Sequence, residues 1–148
     1  MATDKNTGFT AAEKAAMKEH AAELRAAAKR QKSEDAAAAE AAECAAAIAK
    51  LDGTDRELAQ GVHDLIAKVA PELKAKTWYG MPAYALDGKT VCFFQAGSKF
   101  KTRYSTLGFT ENAKLDDGEM WPNAYALLEL TPAASDRISA LLRQSIGV

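Results

Sequence analysis

Ten of the chain's eleven aromatic residues fall between Trp78 and Tyr125, whereas residues 36–49 alone hold ten alanines. Aromatic side chains bury the largest apolar areas and alanine among the smallest. The aromatic core must therefore come from the second half, while the first third can dock only through a thin stripe. At 148 residues, one compact domain with an appendage is the expected organisation. A chain of this size buries roughly two thirds of its unfolded surface and needs no disulfide or metal to fold.

Periodicity sorts the elements. Thr10-Ala11-Ala12-Glu13 has the capping-box pattern, and Met17, Ala21, Leu24 and Ala28 recur behind it at helical spacing. A second helix is expected near Ser33, with Glu34 and Asp35 in its first turn. Residues 1–50 thus form a helical, alanine-rich extension, lying either on the body or on a second subunit. Thr54-Asp55-Arg56-Glu57 is a second capping box, followed by the stripe Leu58, Val62, Leu65, Ile66 and Val69 and a stop at Pro71.

Strand signals come next. Residues 81–86 and 90–96 flank Asp87-Gly88, a pair suited to a tight hairpin turn. Residues 99–107 alternate, with Phe100, Thr102 and Tyr104 on one side and Lys101, Arg103 and Ser105 on the other. A last strand is expected over 124–130, then a helix opened by Thr131-Pro132 and striped by Ile138, Leu141, Leu142 and Ser145. The expected fold of residues 51–148 is α+β, an antiparallel sheet of four or five strands covered by helices in α-β-α order.

Composition limits the function classes. Nineteen basic and twenty acidic residues give a net charge of -1, so no global attraction to nucleic acid or an anionic membrane is expected. Cys44 and Cys92 have no metal-ligand spacing, and Cys92 lies in an apolar run; a reduced, cytoplasmic protein is expected. Met1-Ala2-Thr3-Asp4-Lys5 lacks an apolar leader, and no apolar window is long enough to span a bilayer.

Thr77-Trp78-Tyr79-Gly80-Met81-Pro82-Ala83-Tyr84, Val91-Cys92-Phe93-Phe94-Gln95, Lys99-Phe100-Lys101-Thr102-Arg103-Tyr104 and Leu128-Glu129-Leu130 resemble the YdhG-like family of bacterial domains of unknown function. The similarity covers residues 51–148, and Lys5-Asn6-Thr7-Gly8-Phe9-Thr10 resembles the extension of longer variants. The resemblance implies a frataxin-like α-β-α sandwich. For one branch it implies iron binding and delivery.

No segment spells a reaction. Gly-x-Ser-x-Gly, His-x-x-x-His, Cys-x-x-Cys and both glycine-rich phosphate loops are missing. His63 flanks the helical stripe and is expected to be satisfied by water or a carbonyl. Asp116, Asp117 and Glu119 gather carboxylates around Gly118 and are the candidate ligands if iron is bound, although Asp-Gly clusters commonly just make turns. Aromatic rings interleave with cations between Phe93 and Tyr104, but rings expected to point inward argue against nucleic acid.

The remaining expectation is a groove for a small anionic molecule or a protein partner. Lys99, Lys101 and Arg103 share one strand face in this reading, walled by Trp78, Tyr79, Met81 and Trp121. Adjacent residues of extended chain point to opposite sides, so one of Trp78 and Tyr79 is expected in the core and the other at the groove. The expected function is a non-catalytic binding module, with iron delivery as the alternative.

Overall fold

The computed structural model describes residues 10–148; the readings placed on Met1 to Lys5 and on Lys5 to Phe9 lie outside them. The chain divides into two units, one ending at Ala36 and the other running Ala37–Val148. A single helix, α1 (Ala11–Ala49), passes from the first into the second. The second helix expected at Ser33 does not start there. Nothing between Ala11 and Ala49 breaks the helix, because the run holds no proline or glycine and alanine has the highest helix propensity. The Thr10–Glu13 box closes reciprocally, Glu13 N–H donating to Thr10 Oγ1 at 3.1 Å and Thr10 N–H to Glu13 Oε1 at 2.9 Å. Those bonds, the one from the Thr10 backbone first, hold the Glu13 carboxyl below its ordinary pKa.

In the second unit, α2 (Gly53–Val69), β1 (Lys74–Trp78), β2 (Met81–Leu86), β3 (Lys89–Gln95), β4 (Ser105–Phe109), β5 (Ala124–Leu127) and α3 (Pro132–Ile146) follow in order. All five strands form one antiparallel sheet in sequence order. This is an α+β fold with a helical N-terminal segment. Among the described residues no helix is long and apolar enough to cross a membrane.

Register assigns the two faces. Ala75, Tyr84, Cys92 and Phe109 form one row across four strands, and Phe94, Leu107 and Tyr125 a second. These rows meet Leu58, Ala59, Val62 and Ile66 of α2, Ile138 and Leu142 of α3, and Cys44 and Ile48 at the end of α1 in one core. An extra residue in β3, between the pairs Tyr84–Cys92 and Ala85–Thr90, makes a bulge. It lets the consecutive Val91 and Cys92 both enter the core.

Three local expectations change. β1 lies where no strand was expected, an edge strand whose apolar signal is only Ala75 and Trp78. Residues 99–104 are not strand; β4 begins at Ser105. Phe100 N–H donates to Ala96 O and Thr102 N–H to Gly97 O, folding the segment into a turn with Lys101 at φ +57. Finally, the box at Thr54 does not form: α2 is capped by Asp52 without a side-chain bond. α3 opens as expected, with Ala134 N–H donating to Thr131 Oγ1 at 3.1 Å and Pro132 in its first turn.

Candidate functional site

The Gly80-Met81-Pro82 segment follows a two-residue hairpin turn. Tyr79 and Gly80 have φ of +51 and +76, the left-handed pair that a tight β1–β2 connection requires. Beneath the turn lies a hollow of about 600 Å³ between the end of α1 and the ends of β2 and β3. Its apolar lining comes from Ala46, Ala47, Leu51, Met81, Pro82, Phe94, Ala96 and Phe100, and its charged rim from Lys99, Lys50, Glu43 and Asp52. Lys99 Nζ donates to Gly80 O at 3.3 Å, linking the rim to the turn.

The rim segment is anchored from α2. Ser98 N–H donates to Asp55 Oδ2 at 3.2 Å, the Ser98 hydroxyl bonds the same oxygen, and Ser105 Oγ donates to Asp55 Oδ1 at 3.3 Å. Gly97 N–H donates to Ser105 Oγ at 3.0 Å, and Ser105 is buried. Asp55 therefore spends its carboxylate on residues 43 and 50 positions away, and the Thr54 box is lost because the helix already begins at Gly53.

Only part of the expected constellation assembles. Met81 and Lys99 line the hollow; Trp78, Tyr79, Lys101, Arg103 and Trp121 do not. Lys99, Lys101 and Arg103 share no strand face, since their segment is a turn, and the Arg103 guanidinium lies over the Tyr104 ring at 5.3 Å. Neither ring of the Trp78–Tyr79 pair enters the core. Trp78 is half-buried and Tyr79 is 82% exposed, and their centroids stand 5.0 Å apart because the left-handed turn at Tyr79 breaks the extended alternation. Trp121 sits in the segment between β4 and β5, where it lines one hollow with Asp116 and Glu119 and another with Asp116 and Asp117. Neither hollow is lined by all three carboxylates. Among the described residues no group of three or more His, Cys, Asp or Glu side chains is placed to hold a metal.

Sequence reasoning missed a buried polar cluster. His63 Nδ1 lies 3.0 Å from Tyr84 Oη, so its partner is a phenol rather than water or a carbonyl, and Cys44 Sγ lies 4.0 Å from the same oxygen. Tyr84 is 2% exposed, and burial first, then Cys44, drives its pKa far above the ordinary phenol value. It stays a neutral donor and acceptor at any working pH. Burial likewise raises the Cys44 thiol and pushes Cys92 up to about 12.

These thiols give an expected result. Neither cysteine should react with a thiol-exchange reagent in the native state at neutral pH, and both should react once the chain is unfolded. The raised Cys92 pKa also fixes a sign. Above pH 9.0, the ordinary value, the unfolded thiol ionises while the folded one stays protonated. The stability this thiol contributes is full below that pH and is lost at about 1.4 kcal/mol per pH unit up to about 12. Denaturant titrations of wild type and Cys92→Ala across that window, compared for slope, check it.

No protein-family model, curated protein or solved structure matches this chain.

Proposed function

We propose that the second unit is a binding module for a small amphipathic carboxylate, held in the hollow beneath the Tyr79–Gly80 turn. One observation carries this reading: a lysine ammonium, Lys99 Nζ, stands at the rim of a largely apolar cavity. Its bond to the neutral Gly80 carbonyl is long, so an incoming carboxylate offers a stronger, oppositely charged acceptor. Lys50 adds a second cation on the same rim, while Glu43 and Asp52 disfavour ligands carrying several negative charges. Phe100, Leu51, Ala46 and Ala47, the accessible apolar side chains of the lining, supply the contact for the ligand's body.

The reading extends to family. A helix, a five-stranded antiparallel meander and a second helix follow the order implied by the resemblance to YdhG-like, frataxin-like domains and support membership among them. Two buried free cysteines fit a reduced cytoplasmic setting.

Calorimetric titration with octanoate, and with octanol as the uncharged control, tests the site. Octanoate should bind and octanol should bind more weakly. Lys99→Ala should weaken octanoate by about tenfold, the worth of one charge-assisted bond. Ala47→Trp, which fills the cavity, should abolish binding. Equal affinity for both probes, or binding indifferent to Ala47→Trp, would remove the hollow as the site.

A further inference from the structure

We infer that the sheet face opposite the helices binds single-stranded nucleic acid. The row Lys76, Ala83, Phe93, Gly108 and Ala124 crosses all five strands. Register places it on the side opposite the core rows, and none of its residues belongs to the core cluster. Phe93, one of the rings expected to point inward, thus points outward. Trp78 lies two residues along β1 from Lys76, hence on the same side, with its ring 5.2 Å from Phe93 and 5.0 Å from Tyr79.

This ring ladder ends in a flat shelf. A Cβ on Gly108 would meet Phe93 Cζ at 2.3 Å, so the Phe93 ring lies directly on glycine backbone. Ala124 and Ala126, both exposed, continue the surface with side chains too small to obstruct a base. A base stacks on any aromatic face, which makes such a platform tolerant of sequence.

Charge selects the occupant. The rows through Lys74, Lys76 and Gln95 carry two lysines and no carboxylate. The nearest acid paired to them is Glu40 of α1, 4.0 Å from Lys76 Nζ, at the limit of an ion pair and half-exposed. An overall charge near zero gave no sign of these two lysines.

Tyr79 supplies an independent observation. It occupies a left-handed position, φ +51, where asparagine or glycine is favoured. Its ring, 82% exposed, contributes little to the fold. A strained residue that displays a large ring beside Trp78 is better explained by a ligand than by the turn.

The test uses the whole chain carrying Trp121→Phe, so that tryptophan emission reports Trp78 alone. It is titrated with fluorescein-labelled oligouridylate and oligothymidylate of about twelve nucleotides and with a duplex of equal length. The single strands should quench Trp78 and bind more tightly than the duplex. Affinity should fall with salt, with a logarithmic slope of about −1.4 for two phosphate contacts, and the Lys74→Glu/Lys76→Glu variant should flatten it. Tyr79→Asn keeps the turn chemistry, so its fold should survive while affinity drops about tenfold. Absence of quenching, equal duplex affinity, or unchanged binding by folded Tyr79→Asn overturns the inference. So would self-association lost in Tyr79→Asn with no oligonucleotide bound, which would give the face to a second copy.

Discussion

Phe94→Ala is expected to destabilise the second unit by about 4 kcal/mol, roughly a thousandfold in its folding equilibrium. Phe94 is fully buried and sits in a row with Leu107 and Tyr125 that the helices cover. Removing the ring forfeits its transfer free energy and joins a new void to the hollow already under the Tyr79–Gly80 turn. Neighbouring β-sheet backbone is fixed by pairing on both sides, so little collapse can offset that void. Phe100, which lines the same hollow but is 41% exposed, is the internal control. Phe100→Ala should cost under about 1 kcal/mol. Urea denaturation of both variants checks the contrast. Equal losses would mean that Phe94 is not the floor of the core.

The second large effect is expected from a single methyl group. A Cβ on Gly97 would stand 2.8 Å from Tyr104 O and 2.9 Å from Tyr104 C. Both are backbone atoms and cannot rotate away, unlike the Phe93 ring above Gly108. Gly97→Ala should therefore cost about 2 kcal/mol by overpacking. The same displacement would pull Gly97 N–H from Ser105 Oγ and loosen the Asp55 clamp that positions Ser98 and Lys99. Octanoate affinity should drop along with stability. Ser98→Ala separates the two causes, since it removes the hydroxyl bond to Asp55 without the clash. It should cost less than Gly97→Ala while still weakening the ligand.

What the sequence made legible was what neighbouring residues decide. The α2 stripe, the Asp87-Gly88 turn, with φ +51 and +82, and the proline start of α3 all depend on contacts within a few positions. The failures lie where a distant residue intervenes. Asp55 gives no local sign of its partners, Ser98 and Ser105, which lie far along the chain. The alternation over 99–107 looks like a strand until the Gly97–Tyr104 approach folds its first half into a turn. His63 is half-buried beside the stripe as expected, but its partner is the Tyr84 hydroxyl from β2, which nothing local announces. At the site, Met81 and Lys99 were legible from the turn and the cation cluster. Ala46 and Ala47 were not, because alanine in a helix gives no sign of which neighbours it faces.

α1 carries a consequence for how this molecule responds to heat. Its buried residues, Cys44 and Ile48, lie in the last two turns, and none between Ala11 and Ala36 is buried. The order of that stretch rests on backbone hydrogen bonds, alanine propensity and the Thr10–Glu13 box. Helix of this kind shortens gradually from its free end on warming, over a broad range and without a threshold. The sheet and its covering helices are lost all at once. One polypeptide therefore holds two kinds of order, one graded and one all-or-none, joined inside a single unbroken helix.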